Sequence, residues 1–405
     1  MIHAGVGVSQ KIYDSKEAGV EAILGALKNI QGLPAERAGK PDIVFAFASI
    51  QYNQEDVLAG IREVVPEATV LGGSAAGEIT SLATVFDGVA AMAIISDQIQ
   101  FSVGMGKGVS KNSFQAGADA ASSMLKDNGN KTPDLYISLP DGITGNGAAI
   151  VEGAQSILGK NFPMIGGSMG DDYLFKETFE YYAAKNKPAE VLTDAVVGVG
   201  LTGTFSFGFG IKHGWEPVGL PMKVTKASGT LLQEVDGKPA LAVYQDYFGK
   251  EAAELVREPL ARMAYTYPLG LSVEGFDELL IRDPVIANEK GEITMAAAIP
   301  EGTTIRLMIG DREKAIHAAK DAATTALSQL EGHKPRLVLM FNCMARNKLL
   351  GVRCSEENKA VQDIIGREVP MLGFYTYGEQ GPLLGKKGTP AYFHNETMTL
   401  LVIGE

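Results

Sequence analysis

The side chains best suited to chemistry gather in the last third of the chain. Cys343 ends an apolar run in FNCMAR, with Arg346 three residues on. A nearby cation can lower a thiol pKa and leave a reactive thiolate. A cysteine nucleophile also needs a base, and His394, in FHNE, is the candidate for a cysteine-dependent hydrolase. The plainer reading is a buried strand cysteine beside a structural arginine. No complete catalytic set is visible, so the expectation is a binding protein and not an enzyme. Arg346, Tyr377, Glu379, His394 and Asn395 form a polar set at expected strand ends. An arginine fork with a carboxylate and an amide suits an amino acid or another zwitterion. The same residues could instead form an ion pair that holds a sheet together.

Histidine and glycine supply the other candidates. None of His3, His213, His317, His333 and His394 sits in a zinc-type pair. His213, two residues before the only tryptophan, Trp215, and His394 are the candidates for a haem axial ligand, which needs an imidazole and an apolar pocket. Covalent haem attachment would need CxxCH, which is absent. Two GGS runs end in Ser74 and Ser168. Ligands in α/β folds settle beyond the carboxyl ends of strands, where glycine permits close backbone approach. Gly73, Ser74, Gly167 and Ser168, with the acids Glu78 and Asp171 that follow, are therefore candidate ligand contacts alongside Cys343. The competing reading is tight turns. The loop Asp141 to Asn146 is a similar strand-end segment whose Thr and Asn could bind a ligand or cap the next helix. No Walker A motif occurs, and glycine pairs such as Gly5/Gly7 and Gly208/Gly210 lack the third glycine of a dinucleotide fingerprint.

The elements that must position these residues repeat. Three segments open on a proline and a short apolar run: PDIVFAFA, PDLYISLP and PRLVLMFN. Each passes through a helix-like stretch to a second apolar run ending at Gly72, Gly166 or Gly373. An alanine-rich helix precedes each proline; Asp14 and Glu17 are spaced as a capping box for the first. DGVAAMAIISDQIQFSVGMGKG and DAVVGVGLTGTFSFGFGIKHG read as hairpins turning at Asp97-Gln98 and near Gly203. The alanine-rich helix of the third copy follows RLMIG, which reads as that copy's first strand. A β-rich segment from Trp215 to Thr303 lies between the second and third copies, with turns at Asp236-Gly237 and Glu289 to Gly291 and a helix from Ala240 toward Arg262. The expected fold is α/β (α+β): mixed sheets flanked by helices, repeated βαβαββ units, and two packed domains, residues 1–214 and 215–405.

Composition limits the function classes. Length predicts two or three domains. Net charge is −12, which disfavours nucleic acid and anionic membranes. Two cysteines exclude a disulfide scaffold. No signal peptide or spanning segment is visible, so a cytoplasmic location is expected. Glycine is the outlier: 48 of 405 residues, roughly 12% against a usual value near 7%.

Five motifs in order carry a family likeness: VTKASGTLLQEVDGKPALAVY, YPLG, FNCMARNKLLG, GFYTYGEQGP and FHNETMTL. This series resembles the FIST C domain, and the repeated first half resembles the FIST N domain. The resemblance implies a sensory module of signal transduction that binds a small molecule such as an amino acid. It also implies a protein partner, because the chain has no room for an output domain. Some family members look like haem-binding nitric-oxide sensors acting on a histidine kinase or cyclic-di-GMP enzyme, which is the alternative reading.

Overall fold

The computed structural model describes all residues except 12, 34, 186 and 250–259. It contains three six-stranded mixed sheets and one eight-stranded sheet, with helices packed on the outer faces. The α/β class expected from the repeats is the one observed.

The first three sheets share one plan. In the first unit, the edge strand Ile2–Ser9 pairs with Val89–Ser96, then come Ile43–Ser49 and the parallel strand Thr69–Ala75. The second unit repeats this order with Ile99–Lys107, Ala195–Gly203, Leu135–Pro140 and Met164–Gly167. The third uses Ser206–Lys212, Met398–Gly404, Pro335–Cys343 and Met371–Thr376. Each unit then lends a short hairpin to a neighbour. Residues 78–85 complete the third sheet, 180–192 the first, and 379–394 the second. The exchange is cyclic, so the three units close on one another.

Central strands are buried on both faces. Ile43, Phe45 and Phe47 point inward with Leu135, Ile137 and Leu139 and with Leu337, Leu339 and Phe341, in one core shared by all three sheets. The alternate residues Val44, Ala46 and Ala48 pack under the helices Ser15–Lys28 and Gln54–Val64. Strands buried on both faces read as continuous apolar runs, which is how all three appear in the sequence.

Much of the glycine excess serves helix-on-strand contact. A Cβ on Gly5 or Gly7 would lie 2.3 or 2.1 Å from the carbonyl oxygens of Ala26 and Ala22. Gly104 and Gly106 stand in the same relation to Ala120 and Ala116, and Gly208 and Gly210 to Ala326 and Ala322. The glycine pairs thus let each alanine-rich helix lie directly on the first strand of its unit. Asp14 does cap the first of these helices, accepting from the Glu17 amide at 2.9 Å.

Two expectations are corrected. The segments read as hairpins at Asp97-Gln98 and near Gly203 are crossings between sheets: their two arms pair with other strands, not with each other. The third unit begins at Ser206–Lys212, and the β-rich segment interrupts that unit rather than preceding it. RLMIG belongs to the insert, where Thr304–Ile309 pairs with Glu216–Ser228. The insert leaves and re-enters the unit on these adjacent strands, around its own core of Val224, Leu241, Leu269, Ile293 and Leu307. The Asp236-Gly237 turn is present, with positive φ at both residues. Of the helix expected from Ala240 to Arg262, Ala242–Phe248 is observed and ends on left-handed Gly249; positions 250–259 lie outside the described residues.

Candidate functional site

Pseudo-symmetry places equivalent residues at three strand ends. Ser49, Asp141 and Cys343 each donate a backbone N–H to a carbonyl at or just before the start of the unit's last strand: Gly88 at 3.0 Å, Ala195 at 2.8 Å and Thr397 at 3.2 Å. The residue before each acceptor is acidic and left-handed: Asp87, Asp194 and Glu396, with φ of 61°, 54° and 59°. Positive φ is uncommon outside glycine and marks positions held by their surroundings. Another acid opens each lent hairpin: Glu78, Glu180 and Glu379, all fully buried. Glu180 pairs in register with Gly73, and Glu379 with Gly167. Burial holds all three carboxyls well above the usual carboxylate range, and neighbouring acids add to it: Asp172 for Glu78, Asp141 for Glu180, Asp283 for Glu379.

The corner at Cys343 opens into a cavity of about 290 Å³ where the second unit, the third unit and the insert meet. The second unit supplies the 141–145 loop, Ser168, Tyr173 and Phe175. The third supplies Cys343, Met344, Ala345, Thr376, Tyr377, Phe393 and Asn395. The insert closes the cavity with Thr230, Tyr265, Asp283, Val285, Thr294 and Ala296. Phe175 stacks on Tyr377 with ring centroids 5.1 Å apart, and Tyr173 lies 4.8 Å from Phe175.

Burial raises the acids of this corner above their ordinary ranges. Burial pushes the Cys343 thiol well above its ordinary value, and the charges of Glu379, Glu396 and Asp283 push it further. The thiol shares a hydrogen bond with Glu379, which also accepts from the Thr376 hydroxyl and, at 3.2 Å, from the Thr397 amide. Asp283 and Glu396 form a pair. They share a proton, and burial raises both, Asp283 to about 6 and Glu396 well above the ordinary carboxylate range. Asp141 is occupied: it accepts from the amides of Ile143 at 2.7 Å, Thr144 at 2.9 Å and Asp194 at 3.1 Å.

The residues singled out in the sequence divide. Ser168, Cys343, Tyr377 and Asn395 line the cavity, and Glu379 bonds the thiol within it. Asp171 shapes the wall without lining it, accepting from the Tyr377 hydroxyl at 2.5 Å and from the amides of Phe175 and Lys176 at 2.9 and 2.6 Å. Gly73, Ser74 and Glu78 sit elsewhere, and Ser74 accepts from the Phe179 amide at 3.0 Å. Gly167 stands mid-sheet against Glu379. Arg346 is no ligand fork: fully buried, it binds Glu357 at 2.9 Å and donates to the carbonyls of His213, Glu396 and Ala315. His394 is no base for Cys343, because its Nε2 bonds the Gly381 carbonyl at 2.9 Å and burial lowers its pKa to about 4.

Haem does not fit the two histidines. His213 accepts from the Trp215 amide through Nδ1 at 2.9 Å, and its Nε2 lies 3.4 Å from Glu278. Burial, with Lys212 and Arg346 nearby, lowers its pKa to about 3. Neither His213 nor His394 lines the cavity.

Glu180, Asp283 and Glu396 escaped the sequence reading. Gly73 to Glu78 and Phe374 to Glu379 are equal steps, but the second unit inserts the wall loop before Glu180, which shifted attention to Asp171. Aligning the residue before each last strand would have revealed Glu396 beside Asp87 and Asp194. Nothing local marks Asp283, which comes from the insert.

Fold and site together define a three-unit α/β protein with a cavity under a β-rich insert. The FIST N domain matches residues 42–238 and the FIST C domain residues 240–382. The chain belongs to the FIST family, whose domains are sensory. An uncharacterized protein of Mycobacterium tuberculosis is 25% identical over 397 residues, covering 94% of this chain and 95% of that one. An uncharacterized protein of Methanocaldococcus jannaschii is 28% identical over 205 residues, covering 48% and 38%. Among solved structures, a cyanuric acid hydrolase from A. caulinodans overlaps with a TM-score of 0.38 at 9% identity, over 100% of this chain and 99% of that one. A chorismatase overlaps with a TM-score of 0.34 at 6% identity, again over 100% and 99%. Overlap at this level assigns no activity to this chain. Among the described residues, no helix is long and apolar enough to cross a membrane.

Proposed function

We propose that this protein is a sensor whose small-molecule ligand occupies the cavity at Cys343, and that it signals through a protein partner. The observation that carries this reading is the cavity of about 290 Å³, walled by aromatic rings and roofed by the insert. Apolar walls with a few convergent polar groups are the usual make-up of a ligand site. A ligand there touches both units and the insert, so binding would bias their relative arrangement. A histidine kinase or cyclic-di-GMP enzyme is the partner type the family suggests. We read the site as binding and not hydrolytic, because His394 is engaged by the Gly381 carbonyl and the acids around the Cys343 thiol favour its protonated form.

Thermal-shift screening of the full chain against metabolites tests the reading. A ligand present well above its Kd raises the melting temperature of the wild type. Ala296→Phe, which fills the cavity, abolishes the shift. A ligand whose shift survives Ala296→Phe binds elsewhere, and the assignment of this cavity then fails.

A further inference from the structure

Resting on that reading, we propose that the cavity recognises an organic cation, a primary amine or amidine on a flat or apolar body, whose nitrogen is held by Asp283 while Glu396 supports the carboxylate from behind.

The geometry offers one strong polar anchor. Asp283 lines the cavity, and among the described residues its buried Oδ1 meets no donor beyond the proton shared with Glu396. Glu396 is fully buried; apart from the proton it shares with Asp283, neither of its carboxyl oxygens finds a partner. Unpartnered buried carboxyl oxygens are costly, and a ligand N–H removes that cost. The charged or titratable groups facing the pair come from several elements. Arg282 adjoins it in sequence but spends its guanidinium on the carbonyls of Phe393, Ile281 and Ala298. Arg346 reaches only the Glu396 backbone carbonyl, at 3.2 Å. Glu379, Cys343 and the hydroxyls of Tyr173 and Tyr244 are the other titratable groups near the pair, and none is a cation.

The rest of the cavity agrees. Among the described residues, no lysine, arginine or histidine lines it, so a ligand carboxylate finds no cationic partner there. The faces of Tyr173, Phe175 and Tyr377 suit a flat body, and aromatic faces also attract cations. Of the amino-acid chemistry expected from Arg346, the amino group has an anionic partner in this cavity and the carboxylate has no cationic one.

Binding is linked to pH. An ammonium ligand needs Asp283 ionised, which burial delays to about pH 6. Affinity therefore rises about tenfold between about pH 5 and about pH 7.

Calorimetry on the full chain tests this with phenethylamine and agmatine as cations, phenylacetate as anion and phenylethanol as neutral control. The expected result is binding of a cationic probe that strengthens with pH and weakens at least about tenfold in Asp283→Asn. The folded state of that variant is checked by its melting temperature, which should match or exceed the wild type at neutral pH. Binding of phenylacetate or phenylethanol alone, lost in Ala296→Phe, overturns the cation assignment and leaves the cavity reading intact. Cation binding unaffected by Asp283→Asn also overturns it. No binding by any probe counts against both.

Discussion

The corner at Ser49 and the corner at Cys343 are built on the same backbone frame and end in different chemistry. Each has a strand end bonded to the start of the last strand, a left-handed acid and a buried glutamate. At Ser49 the hydroxyl donates to Asp172 at 2.7 Å, and Glu78 accepts from the Gly88 amide at 3.2 Å. Neither Ser49 nor Glu78 lines the cavity. At Cys343 the insert adds Asp283 and a roof, and the same frame becomes a pocket. Repetition therefore supplies a scaffold, and one departure from it supplies the site.

Removing Arg346 should break the comparison most severely. Arg346→Ala leaves Glu357 as an unpaired buried charge and strips the carbonyls of His213, Ala315 and Glu396 of a donor. A loss of about 3–5 kcal/mol is expected from urea unfolding. The first corner has no such arginine among its contacts, so a loss below about 1 kcal/mol would show that the third corner does not depend on it either.

The glycine pairs test the equivalence of the units themselves. Gly106→Ala places a Cβ 2.0 Å from the Ala116 carbonyl, and Gly210→Ala does the same against Ala322. Each should cost about 1–3 kcal/mol through helix displacement, measured as similar shifts in the denaturation midpoint. Strongly unequal shifts would mean that the helices are not held alike.

The buried glutamates sharpen the comparison through pH. Folding raises these carboxyls, so the folded state keeps protons that the unfolded chain releases. Their contribution is most favourable below about pH 4 and declines as pH rises through the folded values. Glu78→Gln should remove part of that decline, so its stability by urea unfolding gains on the wild type as pH rises from acid to neutral. Glu379→Gln should act likewise and also alter the thiol it bonds. A Glu78→Gln difference that stays flat with pH would place a charged carboxylate there.

The smallest effect concerns Cys343 alone. Its buried, protonated thiol should react with iodoacetamide at least about tenfold more slowly than a free cysteine at neutral pH. Labelling as fast as a free thiol would restore the nucleophile reading.

Legibility in the sequence followed the range of the interaction involved. Prolines, apolar runs and terminal glycines marked the parallel core strands, because burial on both faces leaves a continuous pattern. The capping pair Asp14 and Glu17 was visible because a cap is a local contact. The crossings at Asp97-Gln98 and near Gly203 were misread because a polar turn between two strands looks the same whether the arms pair or part. RLMIG was taken for a first strand because the true one, Ser206–Lys212, lies about a hundred residues before its helix.

By itself, the sequence determined the three repeated units, the family, the outer alanine-rich helices and the strand ends where Cys343, Tyr377 and Asn395 fall. Those features rest on periodicity, side-chain size and local hydrogen bonds, which neighbouring residues carry. Tertiary structure alone decided that hairpins pass cyclically between sheets, that Arg346 is structural, and that Asp283 joins Glu396 beside Cys343. These outcomes depend on which distant backbones exclude water together, and burial then raised the proton affinity of ordinary carboxyls.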